Sequence, residues 1–297
     1  MKLLNRIILI LFIYSNAASF PQTDSVRIKT LQIIEQAKGK VGVAVINLKT
    51  SDTLTVRGNE YFPMQSVYKF PLALAVLDKV DKGEISLDKK LFVSKSDLLP
   101  NTWSPLRDKY PDGNVFLSLD EILSNTVSLS DNNGCDILFR LMGGTAIVDK
   151  YIHNLGIEDI DIAFTEEEMH KDWQVQYKNR STPLAMAELL YRFYYEDFLS
   201  KSSKDYLWRI MAATVTGPKR IKGLLTEGTV VAHKTGSSGE DENGIAAATN
   251  DAGIVQLDDG SGFVIVVFVS DAAADEETRE KVIAQIAKTV YDAYLNK

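Results

Sequence analysis

The chain is expected to fold as an α/β domain built from both chain ends, an antiparallel sheet with flanking helices, with an all-α domain inserted between. Three observations carry this expectation. Residues 25–56 read as helix–strand–strand, residues 63–213 as a mainly helical block, and residues 230–295 as three strands followed by a long amphipathic helix. A sheet assembled from the two ends, with helices packed on it, is the simplest way to bury all these apolar faces. The boundaries expected are 22–62 and 214–297 for the α/β domain and 63–213 for the helical one.

Taken in order, residues 1–18 read as a secretory leader rather than as part of the fold. Lys2 and Arg6 precede the apolar run Ile7–Tyr14, and Ser15-Asn16-Ala17-Ala18 offers small residues for cleavage. Residues 25–38 place apolar side chains at helical spacing, and Gly39 is the expected stop. Val41–Ile46 and Thr53–Val56 read as a hairpin joined through Lys49–Asp52. Leu72–Leu77 are apolar on every side, the mark of a helix buried all round. Further helices are expected over Leu119–Thr126, Cys135–Met142, Ile147–Leu155, Pro183–Tyr195 and Lys204–Ala213. Residues 161–180 are polar and acidic without a period, a length of loop that in a compact domain usually has a function. Strands follow at Val230–His233, Gly244–Gln256 and Phe263–Val269, with a turn at Asp258–Gly262. The last helix runs from Glu276 to Leu295.

Composition narrows the function classes. The 297 residues carry a net charge of −7, and removing Lys2 and Arg6 with the leader leaves 31 basic against 40 acidic residues. Such a surface argues against nucleic acid or an anionic membrane as partner. No stretch after the leader reaches the ~18 apolar residues of a membrane span, so no membrane anchor is expected. The single cysteine, Cys135, excludes an internal disulfide and lies among apolar neighbours. His153, His170 and His233 lack metal-ligand spacing, so neither a metal nor another cofactor is expected.

Four short motifs carry chemistry. Ser66 and Lys69 stand three residues apart where the buried helix begins, so they would share a face with hydroxyl beside amine. A lysine this near a core has its charge disfavoured, which suits a base or proton relay. A capping serine with a snorkelling lysine fits the same spacing, and Ser86–Lys89 repeats it on a polar turn. Ser130-Asp131-Asn132 follows a helix, where a turn would expose a hydroxyl and an amide; an ordinary loop cap has the same composition. Lys234-Thr235-Gly236 ends an apolar strand, setting a cation, a hydroxyl and an open backbone against an anionic group. Glu166 lies in the polar loop within Thr165-Glu166-Glu167-Glu168-Met169-His170.

In this order and on these elements, the motifs resemble those of the class A serine β-lactamases. The resemblance covers about residues 22–297. It is nearest the extended-spectrum PER-like subgroup, on Glu166-x-x-Met169-His170 and Val215–Arg220. It implies the serine β-lactamase/DD-peptidase fold and hydrolysis of β-lactam antibiotics, penicillins and cephalosporins, through a serine acyl-enzyme. Ser66 would be the nucleophile, Lys69 its proton-transfer partner, Ser130 the donor to the departing lactam nitrogen, and Glu166 the activator of the hydrolytic water. Backbone N–H groups of Ser66 and Ser237 would hold the oxyanion. Lys234, Thr235 and Ser237, with Arg220, would bind the substrate carboxylate, and Asn132 the drug's amide side chain. No cofactor is implied. A monomeric periplasmic enzyme is expected, acting on small β-lactam substrates and conferring antibiotic resistance.

Two departures from the family pattern stand out. His170 occupies the water-positioning place where the family usually has Asn. Phe164 and Asn179 occupy the places of an Arg–Asp pair that commonly pins the loop, so a differently folded or roomier loop is expected. Trp103 is read first as structural and second as a wall of the cleft. A penicillin-binding DD-peptidase shares Ser66, Lys69, Ser130 and Lys234, and Glu166 separates the two readings. A β-lactam-sensing receptor would carry membrane and signalling segments.

Overall fold

The computed structural model describes residues 23–295; the expected leader, 1–18, lies outside the described residues. Helix α1 (Thr23–Ile34) continues through a 3-10 turn at Glu35–Ala37. Lys38, at φ +49°, makes the left-handed stop that the sequence reading assigned to Gly39. Gly39 answers a different need, since a Cβ there would lie 2.5 Å from the Cα of Ala272.

Strands β1 (Lys40–Asn47) and β2 (Thr53–Val56) form the expected hairpin, whose turn is tied by Asn47 Oδ1 accepting from the N–H groups of Lys49 and Thr50. After the short strand β3 (Phe62–Pro63) comes helix α2 (Lys69–Asp81), in which Lys69 through Leu77 are all buried. The helical block continues with strand β4 (Lys90–Val93), α3 (Pro105–Lys109), β5 (Val115–Ser118), α4 (Leu119–Ser128), α5 (Asn132–Met142) and α6 (Thr145–Asn154). The loop that follows is bracketed by β6 (Ile160–Asp161) and β7 (Arg180–Ser181) and carries the one-turn helix α7 (Glu166–Met169), so it is not structureless. Helices α8 (Pro183–Tyr195) and α9 (Lys201–Ala212) return the chain to the sheet.

Strands β8 (Val230–Ser237), β9 (Thr249–Gln256) and β10 (Gly262–Ser270), then α10 (Glu276–Leu295), complete the fold. Several boundaries differ from expectation, two of them in the strands beside the site. Strand β8 runs on through Lys234-Thr235-Gly236 instead of ending before it. Strand β9 starts at Thr249 because Asp241–Ile245 closes a tight turn, Asp241 N–H donating to Ile245 O and Gly244 N–H to Asp241 O. The β4–β5 and β3–β7–β6 ladders gave no periodic signal in residues so few.

The main sheet is antiparallel throughout, in the order β2-β1-β10-β9-β8. Both faces are covered, which is why its strands read as continuous apolar runs. Along β10, Val264, Val266 and Phe268 pack with the helical block, while Ile265, Val267 and Val269 pack with α1 and α10. This places the edge strand β8 beside the start of α2, and the site lies along that junction.

Candidate active site

Ser66 sits on a 3-10 turn, Gln65–Tyr68, and Lys69, the first residue of α2, closes that turn by donating its backbone N–H to Ser66 O. In a 3-10 turn residues i and i+3 eclipse, which stacks the two side chains more directly than an α-helix would. Lys69 is fully buried, and its Nζ lies 2.9 Å from Ser66 Oγ, 2.9 Å from Ser130 O, 2.5 Å from Asn132 Oδ1 and 2.9 Å from Glu166 Oε1. Four oxygens around a group with three N–H bonds make an amine built to exchange partners. Ser66 Oγ is also 3.5 Å from Glu166 Oε1.

Ser130 occupies the junction of α4 and α5 at φ +60°, held there because the next residue is locked. Asp131 caps α5, accepting from Gly134 N, and reaches back to Ser104 Oγ and Leu106 N. Burial raises its carboxyl above the usual range. The middle residue of the Ser130–Asn132 motif is thus the pin that aims its neighbours. Asn132 spends its amide on Lys69 through Oδ1 and on Thr102 Oγ1 through Nδ2.

On β8, Lys234 is fully buried and donates to Ser130 Oγ at 2.9 Å and to its neighbour Thr235 O. Desolvation, then the like charge of Lys69, pushes its ammonium well below the ordinary lysine range. Arg220 is buried too, donating to Gly236 O, Asn250 O and Ser237 Oγ, with Glu280 as counter-ion at 3.1 Å. Neither cation lines the cleft directly: a cavity of 210 Å³ is walled by Ser66, Ser130, Thr216, Thr235 and Ser237, with Lys234 and Arg220 touching those hydroxyls from outside it. Thr216, bonded to Thr235 at 2.6 Å, is a member that sequence reading missed. Gly236 passes so close to the nucleophile's turn that a Cβ would stand 2.4 Å from Met64 O and 3.2 Å from Ser66 N. That approach brings Ser237 alongside Ser66.

Across the cleft, α7 begins at Glu166, with Thr165 and Glu168 forming a capping box. Of the three glutamates, Glu168 is spent on that cap and Glu167 pairs with Lys171 at 3.2 Å on the surface. Glu166 is buried and turns inward to Lys69. His170 is exposed at the end of α7, its Nδ1 donating to Glu166 O at 2.8 Å. The Arg–Asp pair is absent, as the sequence requires, yet the loop's ends are tied: buried Asn179 accepts from Ala163 N and Phe164 N and donates to Phe164 O and Met169 Sδ. Asp136 holds the start of α7, one oxygen accepting from Glu166 N and the other from Glu167 N. Burial, then the neighbouring Glu166, raises its carboxyl to about 6. Asn179 stood out in the sequence only as the loss of an ion pair and Asp136 not at all, because each acts through backbone groups far away along the chain.

The cleft between these walls holds 380 Å³ and is lined by Ser66, Asn132, Glu166, His170, Trp173 and Ser237, among others. Trp103 also lines it, 61% exposed, and its Nε1 donates to Leu129 O at 2.8 Å, so the side chain is both tied to the helical side and part of the cleft wall. Cys135 is buried, as expected. The histidines are less scattered than their spacing suggests: His153 comes together with Asp149 and Asp161 within 4.8 Å. Each already has a protein partner, His153 Nε2 with Ile160 O, Asp149 Oδ1 with Ile162 N and Asp161 with Arg180.

Residues 25–294 match the Beta-lactamase enzyme family. The chain belongs to that family. It is 46% identical to Beta-lactamase VEB-1 of Pseudomonas aeruginosa, with both chains fully covered. To Extended-spectrum beta-lactamase PER-1 of the same organism it is 40% identical, over 97% of this chain and 94% of that one. Among solved structures, TLA-1 extended spectrum Beta-lactamase superposes with a TM-score of 0.90 at 58% identity, covering 92% of this chain and 99% of the other. A β-lactamase from Chitinophaga pinensis gives 0.89 at 54%, covering 91% and 99%. The class A, extended-spectrum resemblance carried by the motifs agrees with these likenesses.

Proposed function

We propose that this β-lactamase opens extended-spectrum β-lactams through an acyl-enzyme on Ser66, with Glu166 as the base that releases it. The observation that carries the reading is one hydroxyl within reach of two proton acceptors: Ser66 Oγ lies 2.9 Å from Lys69 Nζ and 3.5 Å from Glu166 Oε1, themselves 2.9 Å apart. Such a nucleophile is activated without a metal or cofactor.

In acylation, Ser66 Oγ attacks the lactam carbonyl and its proton passes to the Lys69–Glu166 pair. Backbone N–H groups of Ser66 and Ser237 stabilise the oxyanion, a geometry supported by the close pass of Gly236. The ring C–N bond breaks as Ser130 gives its proton to the nitrogen and takes up in its place the proton that Ser66 passed to the Lys69–Glu166 pair; the hydroxyl is free to donate because Lys234 occupies it only as an acceptor. Thr235 and Ser237 bind the substrate carboxylate, with the charges of Lys234 and Arg220 placed behind them. Asn132 meets the amide side chain while keeping Lys69 in line. In deacylation, Glu166 takes a proton from water, and the hydroxide oxygen bonds to the acyl carbon. The ester C–Oγ bond breaks, and Ser66 regains its proton. His170, whose Nδ1 is committed to Glu166 O, leaves Nε2 to orient that water.

The cleft between Trp173 and Gln176 on the loop and Ser238 and Gly239 past β8 gives room for bulky oxyimino side chains. A preference for small penicillins with no turnover of oxyimino-cephalosporins would count against the spectrum. No described helix is long and apolar enough to cross a membrane. We place the enzyme in the periplasm as a monomer.

The test is hydrolysis of a chromogenic cephalosporin by wild type and Glu166→Ala. Wild type is expected to turn over many times, and Glu166→Ala to stall as an acyl-enzyme visible by mass spectrometry. A stoichiometric burst and a stable adduct in wild type would instead mark a DD-peptidase.

A further inference from the structure

Glu166 and His170 separate two cavities. The first is the 380 Å³ cleft that also reaches Ser66, Trp103 and Ser237. The second, of 330 Å³, is lined by Leu99, Pro100, Asn101 and Thr102 on the helical side and by Glu167 and Lys171 on the loop, with Asn133 and Asp136 between. Of these lining residues, only Glu166 and His170 belong to both. The second chamber therefore reaches Glu166 with Ser66 absent from its lining.

We infer that this second chamber is the route by which hydrolytic water reaches Glu166 while the acyl group fills the cleft. The inference rests on Glu166 being the deacylating base, and three observations carry it beyond that. Each turnover consumes one water, and it does so when the antibiotic, bonded to Ser66, obstructs the cleft. The chamber has space for on the order of ten waters, and its buried polar groups, Asn133 and Asp136, give them partners. At the partition, Glu166 Oε1 is committed to Lys69 and Ser66, while among the described residues Oε2 accepts no hydrogen bond. His170 Nδ1 donates to Glu166 O, so the neutral ring presents Nε2 as an acceptor. A water arriving from the chamber meets two free acceptors, the one that removes its proton and the one that orients it.

The chamber's mouth offers a direct test. Asn101 is exposed and its side chain makes no hydrogen bond with a described residue, while Cys135, the chain's other thiol in an Asn101→Cys variant, is buried. Asn101→Cys is modified with methyl, benzyl and naphthylmethyl thiosulfonates, labelling being verified by mass spectrometry. Acylation and deacylation are then measured separately by rapid mixing with a slowly released cephalosporin. The expected result is deacylation that falls stepwise with label size, at least fivefold for the largest, with the acylation rate unchanged within twofold. Deacylation indifferent to label size overturns the water route, and so does an equal loss in both steps. If instead Glu166→Ala releases acyl-enzyme as fast as wild type, the base assignment fails, independently of the label series. Should Asn101→Cys not fold, Lys171→Cys on the loop side carries the same labels and the same reading.

Discussion

On one side of the cleft, Gly236 and Ser237 are carried by β8, which pairs with β9 residue by residue from Val230↔Gln256 to Ser237↔Thr249. On the other, Glu166 is carried by a helix of four residues, fixed by Asn179 at the loop's ends and by Asp136 at the helix start. The strand side distributes its geometry over a ladder of backbone bonds, and single side chains there matter only where backbones nearly touch. The loop side concentrates its geometry in two buried polar groups. Damage to the strand side should therefore strike acylation, and damage to the loop side should strike stability and deacylation.

Gly236→Val should show the largest effect. The new side chain begins 2.4 Å from Met64 O and cannot be accommodated without moving β8 from the nucleophile's turn. Losing the approach of Ser237 to Ser66 costs about 2.7–4 kcal/mol in the transition state, as for a missing oxyanion donor. Acylation is expected to fall by about 10²- to 10³-fold, read by stopped-flow with the same cephalosporin, and the overpacked contact is expected to cost a further ~1–3 kcal/mol of stability, read as a lower melting temperature. A variant that acylates normally would mean that the ladder tolerates displacement at its one tight contact.

Asn179→Ala should come next, and on the other axis. It leaves the N–H groups of Ala163 and Phe164 and the carbonyl of Phe164 without their partner. Each buried unsatisfied group costs about 1–3 kcal/mol, and water reaching the exposed Ala163 recovers part, so about 3 kcal/mol of stability is expected to be lost. Deacylation should fall about tenfold as Glu166 loses its fixed place, with acylation changed less than threefold. Denaturant unfolding and mass-spectrometric trapping of acyl-enzyme measure the two. Equal losses in both chemical steps would show that the loop and the strand side are not separable.

The same contrast explains what the sequence makes legible. Ser66–Lys69, Ser130–Asn132 and Lys234–Gly236 are local patterns, each on one element whose hydrophobic period can be read, and the buried run of α2 distinguishes Ser66–Lys69 from the exposed Ser86–Lys89. Antiparallel strands from both chain ends follow equally from runs such as Phe263–Val269. What escapes is the set of partners defined by distance along the chain. Asp136 meets Glu166 across 30 residues, Gln65 meets Gln176 across 111, and Asn250 donates to Pro63 O across 187. A lone Asp, Gln or Asn carries no period, and its meaning arises only when the fold supplies a backbone group to bind. The retreat of Lys234 and Arg220 behind hydroxyls is of the same kind, because burial is not written in a motif.

Asp136 gives the smallest of the three effects and the one that turns the comparison into a pH measurement. Its carboxyl titrates near 6 in the folded chain against 3.8 when unperturbed. Between those values the native state keeps a proton that the unfolded chain has released. Asp136 therefore contributes stability that is full below pH 3.8 and lost as pH rises through 6. A shift of this size is worth up to about 3 kcal/mol, and water in the adjoining chamber lowers the expected figure to about 2 kcal/mol. Asp136→Asn removes the titration but leaves Glu167 N without its acceptor, so the variant carries a constant penalty instead. The difference in unfolding free energy between wild type and Asp136→Asn should accordingly shrink by about 2 kcal/mol from pH 4 to pH 7. A constant difference across that range would mean that the two N–H donors of α7 compensate the buried charge fully. The loop side would then be held as securely as the strand side, by a single ionised carboxylate.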